Sequence, residues 1–160
     1  MKYAGIVKND LSAAPGISVT FYVQGCPHRC YGCHNPETWD FDGGKEFTAE
    51  ILQEIYQAII ANGVQRSFAV QGGEPLCENN LLLTYMVISN VKKQFPDIKI
   101  YLWTGYYYDE LLKNSNPKIQ LILDMVDVLI DGPFIHSQRD ITLPMRGSAN
   151  QNIIDLKNLK

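Results

Sequence analysis

Several features are scarce in this 160-residue chain, and each absence narrows what it can be. No apolar run approaches the roughly 20 residues needed to span a bilayer. Positive charge is not in excess: 14 Lys and Arg stand against 17 Asp and Glu, for a net charge of −3. That balance offers no basic footprint for nucleic acid or an anionic membrane. The first residues, MKYAGIVKND, lack the apolar core and small-residue cleavage site of a secretory signal. A cytoplasmic chain with reduced thiols is therefore expected. Linkers, low-complexity tracts and internal repeats are also missing, so the length suits a single domain over residues 1–160. Neither G-x-x-x-x-G-K-[ST] nor G-x-G-x-x-G occurs, which removes the common phosphate cradles.

Cysteine is scarce but unevenly spread. Cys26, Cys30 and Cys33 fall within the segment QGCPHRCYGCHNPETW, residues 24–39, and the fourth, Cys77, is distant. A disulfide framework would be spread more evenly, so the cluster points to metal or redox chemistry. The spacing is C-x3-C-x2-C, with no fourth cysteine nearby. Structural zinc closes with four protein ligands. His28 or His34 could complete such a site, and a non-catalytic zinc-binding adaptor is the reading from a different class. Three unconnected packing thiols fit less well in a polar loop. A cubane iron–sulfur cluster has four irons, each wanting one outer ligand. Three thiolates leave one iron open, and an open position separates reacting metal centres from structural ones. Cys77 reads as a packing thiol.

The remaining pattern alternates strands with helices. Strands are expected at residues 17–24, 67–71, 98–103 and 126–130, from β-branched and aromatic runs. Helices are expected from Thr48 as N-cap to Asn62-Gly63, over 80–94, and over 108–125 with a break near Asn116-Pro117. A short strand is expected at 152–156. This alternation predicts an α/β chain with mostly parallel strands, as an open sheet or part of a barrel. Four strand–helix units suggest a partial, open (β/α) barrel, whose open side could admit a protein loop. In such designs ligands bind at the carboxyl ends of the strands. Gly25-Cys26, Gly72-Gly73-Glu74-Pro75, Thr104-Gly105-Tyr106 and Asp131-Gly132-Pro133 all follow strands, which predicts a single active site on one edge.

The cysteine loop after the first expected strand, followed by Gly72-Gly73-Glu74 after the next, resembles the radical S-adenosylmethionine (SAM) superfamily. The resemblance implies a [4Fe–4S] cluster on Cys26, Cys30 and Cys33. It also implies that SAM takes the open iron through its methionine amino and carboxylate groups and that its reductive cleavage yields a 5′-deoxyadenosyl radical. It further implies adenine contacts at Gly32, Cys33 and His34, largely through backbone groups. Many members carry an aromatic residue where this chain has Gly32. SAM's ammonium group would meet Gly72, Gly73 and Glu74, where glycines permit close backbone approach. Thr104 and Asp131, at strand ends, are candidates for the SAM ribose or a bound cation. No catalytic acid or base is assigned, because the cofactor carries the chemistry.

The segments Pro15-Gly16, His34–Trp39 and Gly43-Gly44-Lys45 are similar to glycyl-radical enzyme activases. Leu102–Tyr106, Val128–Phe134 and Arg146–Gln151 look like the branch serving anaerobic ribonucleoside-triphosphate reductase. That resemblance implies the reductase large subunit as partner, with a hydrogen atom taken from one of its glycines. It also implies a one-electron donor such as flavodoxin or ferredoxin. The alternatives are an activase of another glycyl-radical enzyme and a small-molecule radical SAM enzyme.

Overall fold

A computed structural model describes residues 1–159. Its strands are β1 (Lys2–Asp10), β2 (Ser18–Val23), β3 (Lys45–Glu46), β4 (Ser67–Gly72), β5 (Ile100–Trp103), β6 (Val128–Asp131) and β7 (Asn152–Asp155). Its helices are α1 (Ala49–Ile60), α2 (Glu78–Gln94), α3 (Tyr108–Leu112) and α4 (Pro117–Met125). The strands form one open sheet in the order β3-β1-β2-β4-β5-β6-β7. The central four, β2, β4, β5 and β6, are parallel. Both margins are antiparallel, with β1 beside β2 and β3, and β7 beside β6.

The four expected parallel strands and the break before Pro117 are present. Asn116 caps α4 by accepting from the Lys118 amide at 3.1 Å, and Pro117 takes the first turn, where a missing N–H costs nothing. Strand β1 is an addition to the sequence reading. Its run KYAGIVKND carries two lysines and a glycine, and its residues from Val7 to Asn9 lie exposed, so no clean alternation announces it.

The side-chain period of two sorts the sheet into different faces. Val19, Phe21, Val23, Phe68, Val70, Ile100, Leu102 and Leu129 form one core with the inner stripes of all the longer helices, including Ile55, Leu83, Ile88 and Ile122. The alternate residues Ala69, Tyr101, Val128 and Ile130 face the other way, where Ala13, Ala14 and Met145 pack on them. One face is thus covered by helices and the other by loops. Tyr22, Gln71 and Trp103 sit at the carboxyl ends of the loop-covered face and line a cavity there. The loop from β1 to β2 is fixed over this face by buried Asp10. Its carboxylate accepts from the Ser12 amide and hydroxyl at 2.8 and 2.7 Å, from the Ala13 amide at 3.3 Å, and from Thr20 Oγ1 at 2.7 Å. Burial alone would raise the Asp10 pKa, but these hydrogen bonds outweigh it and hold it below the usual carboxylate value. Among the described residues, no helix is long and apolar enough to cross a membrane.

Candidate metal and cofactor site

Parallel pairing brings the four strand-end segments to one edge. Cys26, the Gly72–Glu74 turn, Thr104-Gly105 and Gly132-Pro133 all border one cavity of about 410 Å³. That volume lies in the range of small-molecule and cofactor sites.

The cysteine loop is closed at its base. The Gly25 amide donates to the Thr38 carbonyl at 2.7 Å, and the Cys26 amide to Trp39 at 3.2 Å. Buried Gln24 sends its side-chain amide to the carbonyls of Glu37 and Asp40, at 3.1 and 2.7 Å. Gly25 turns the chain with φ +98, and a Cβ there would overlap the Phe41 ring. Within the loop, the Cys33 amide donates to the Cys30 carbonyl at 3.1 Å. Cys26, Cys30 and Cys33 are all half-buried free thiols bordering the cavity. Burial pushes the Cys26 thiol up to about 11 and raises the Cys30 thiol as well. A metal centre bound there would displace those protons. Cys77 is different: it is 5 % exposed, stands at the N-cap of α2, and does not border the cavity.

The glycine-rich turn is locked onto the cysteine loop. The Gly73 amide donates to the Val23 carbonyl at 3.0 Å and the Glu74 amide to Gly25 at 2.8 Å, extending the β2–β4 pairing past the strands. Gly72 adopts φ +109, and a Cβ there would lie 2.9 Å from the Tyr22 backbone. A Cβ on Gly73 would meet the Gly25 backbone, within 2.8 Å of its carbonyl carbon and closer to its oxygen. The glycines therefore serve contact between two loops as well as access to the cavity.

Glu74 is 1 % exposed and joins loops from different strands. Its Oε1 accepts from the Leu76 amide and from Thr104 Oγ1, both at 2.8 Å. Its Oε2 accepts from the Gly105 amide at 2.7 Å and meets His28 Nε2 at 2.9 Å. The His28 ring lies edge-on to Tyr106 at 4.7 Å. Four protein donors thus share this carboxylate. Thr104 is buried, donates to Glu74, and accepts from the Tyr106 amide at 3.2 Å. Asp131 is 2 % exposed and does not border the cavity. Its carboxylate accepts from the Tyr108 amide at 2.8 Å and from the Asn152 backbone and side-chain amides at 3.1 and 2.8 Å, tying α3 and β7 to β6. Cys33 and His34 border the cavity, while Gly32, at φ +76, turns to the opposite side of the loop.

Sequence reasoning missed Gln24 as the clamp of the loop base and His28 as the partner of Glu74. It also missed the function of Arg146–Gln151 as a wall. There Gln151 Oε1 accepts from the Gly147 and Ser148 amides at 2.9 and 3.1 Å, and its Nε2 donates to the Gly132 carbonyl at 2.9 Å. Arg146 Nη1 donates to the Gln151 carbonyl at 2.7 Å. Trp103 Nε1 donates to the Met145 carbonyl at 2.7 Å, joining this wall to the sheet.

The donor set fits a cluster with one open iron. Three thiols reach one cavity, the fourth is sealed away, and the Gly72-Gly73 backbone forms part of the same lining. Among the described residues, no three His, Cys, Asp or Glu side chains converge on a single ion position. In a cubane each thiolate serves its own iron, so three thiols bordering one cavity suffice.

Comparison with known proteins agrees with this donor set. The family profile described as a 4Fe-4S single cluster domain matches residues 13–154. An anaerobic ribonucleoside-triphosphate reductase-activating protein of Vibrio cholerae is 37% identical over 154 residues, covering 96% of this chain and 97% of its own. The proteins of that name from Escherichia coli (strain K12) and Enterobacteria phage T4 are 32% and 34% identical, over 98% and 96% of this chain and 100% and 93% of theirs. With likeness running almost end to end and the three-cysteine loop inside the matched span, the chain belongs to the family of anaerobic ribonucleoside-triphosphate reductase-activating proteins.

Proposed function

We propose that this chain is a glycyl-radical activase acting on anaerobic ribonucleoside-triphosphate reductase. The observation that carries this reading is the cavity bordered by three thiols without a fourth and by the Gly72-Gly73 backbone. Cys26, Cys30 and Cys33 would hold a [4Fe–4S] cluster. When bound, the cluster and SAM would supply the one-electron chemistry that removes a hydrogen atom from a glycine of the reductase. The protein's own work is binding, orientation and exclusion of water. The Gly72-Gly73 backbone receives SAM's methionine part, and Cys33 and His34 border its adenine, with Gly32 shaping that turn. Glu74 and Thr104 contribute by holding three loops in register, and Asp131 by anchoring the edge behind them. No side chain need move a proton.

A sheet with helices on one face and a cavity over the other is consistent with a partial (β/α) barrel, formed by a single domain over residues 1–160. Its open side would admit the partner's glycine-bearing loop. A cytoplasmic setting suits the free thiols and the need for a soluble one-electron donor.

Cysteine replacement tests the ligand set. After anaerobic reconstitution, Cys77→Ser should retain iron, sulfide and SAM cleavage near wild-type levels, and Cys30→Ser should lose the cluster and, with it, SAM cleavage. Loss of iron in Cys77→Ser with retention in Cys30→Ser would overturn the assignment. Zinc in place of iron and sulfide in the wild-type protein would favour the adaptor.

A further inference from the structure

The cysteine loop has two sides. One borders the cavity described above through Cys26, Cys30 and Cys33. On the other side Gly32 backs onto Phe134 and His136, and a Cβ there would overlap the His136 ring. This side borders a second cavity of about 440 Å³. His34, Phe134, Arg146 and Gly147 belong to both linings, so one wall of side chains divides the cavities.

The charge of the second cavity departs from that of the chain. The net charge is −3, yet two of the four arginines, Arg139 and Arg146, border this space together with His34 and His136. Among the described residues bordering it, the one carboxylate is Asp140, whose Oδ1 accepts from the Thr142 amide and hydroxyl at 2.9 and 2.6 Å. Apolar surface accompanies the charge. Tyr31, between two of the cluster cysteines, is 81% exposed, with its ring 5.1 Å from that of His136. Ile141, on the cavity rim, is 84% exposed. Exposed aromatic and aliphatic side chains beside arginines are found in protein-binding patches.

We propose, on the basis of the activase reading, that the face formed by Tyr31, His34, His136, Arg139 and Ile141 docks an acidic one-electron carrier protein. The carrier, with a reduced flavin or iron–sulfur group, is oxidised by one electron and the cluster held by the cysteine loop is reduced by one. No bond forms or breaks in this step. The first cavity must admit SAM and the partner's glycine, because hydrogen transfer requires contact between reacting atoms. An electron needs no such contact and can cross the dividing wall. The two partners therefore use opposite sides of one loop. Arg139 and Arg146 on the entry side attract an acidic carrier and orient it on approach.

The test uses the full-length, cluster-loaded protein with flavodoxin as probe. Two quantities are measured: the affinity for oxidised flavodoxin, and the rate of cluster bleaching by flavodoxin hydroquinone or by dithionite. Arg139→Glu should weaken flavodoxin binding and slow its electron transfer by roughly tenfold at low salt, while dithionite reduction stays within about twofold. The difference should shrink as salt screens the surface charges. Ile141→Ser, which leaves the charge unchanged, should weaken binding without altering its salt dependence. The proposal is overturned if neither variant affects flavodoxin, if both reductants slow by the same factor, or if flavodoxin neither binds nor reduces the wild-type protein. The activase reading fails separately, if the wild-type chain holds no cluster that dithionite can reduce.

Discussion

Gly73→Val should cost the protein both SAM binding and much of its cluster. The new side chain has no room, because the Gly73 Cβ position falls against the backbone of Gly25. That backbone begins the cysteine loop and accepts the Glu74 amide. It cannot yield as a flexible side chain would. Overpacking of this kind costs about 1–3 kcal/mol, and a β-branched residue stands at the upper end. The strain falls on the contact between the two motif loops, so the thiol positions shift together with the SAM wall. Iron per chain should drop to less than about half, and SAM affinity by more than about tenfold, which is about 1.4 kcal/mol. Gly73→Ala should lie between wild type and valine. Iron analysis and equilibrium SAM binding check this. Normal iron content in Gly73→Val would show that the loops do not depend on each other as described.

Glu74→Gln should be the most destabilising near-isosteric change at the site. The buried carboxylate accepts from Leu76, Thr104 and Gly105 and meets His28. An amide of the same shape must direct an NH2 group at one pair of these donors. A buried acceptor is then lost and donors are left facing each other. Removing one partner from a buried, charge-assisted network costs roughly 3–5 kcal/mol. The loops after β2, β4 and β5 would loosen at once, since one side chain ties all three. Chemical denaturation should show a lowered midpoint with little change in slope, and iron retention should fall in parallel. An unchanged midpoint would mean that Glu74 is not the hub. A role confined to SAM's ammonium group would instead reduce SAM binding and leave apo-protein stability intact.

These two residues also show what the sequence could and could not reveal. The strand-end location of the motifs was legible, because β-branched runs followed by Gly-rich segments expose both the period and its interruption. The cysteine loop was legible because three thiols with unequal spacing fit few other chemistries. Glu74 as a hub was not, since Thr104 and Gly105 lie about 30 residues further along and His28 lies 46 residues before it. Local pattern carries no sign of such pairings, although a glutamate just before Pro75 and α2 is where a helix start favours negative charge. Gly73 was legible as a close-approach glycine, but its neighbour is a backbone segment from another strand. Strand β1 escaped notice because its pairing with β2 and β3, rather than its own alternation, makes it a strand. Asp131 reads from sequence as a strand-end candidate for the SAM ribose or a cation, and its contacts in the fold are with Tyr108 and Asn152.

Isotope transfer from the partner's backbone tests the central claim most directly. The reductase is prepared with glycine deuterated at the α-carbon, then mixed anaerobically with the cluster-loaded protein, SAM and a reductant. The 5′-deoxyadenosine released in a single turnover is recovered, and the glycyl radical is followed by its electron paramagnetic resonance signal. Deuterium is expected in the 5′-methyl group of that product, appearing together with the radical. A radical that forms on the reductase while the recovered 5′-deoxyadenosine carries no deuterium would contradict that claim.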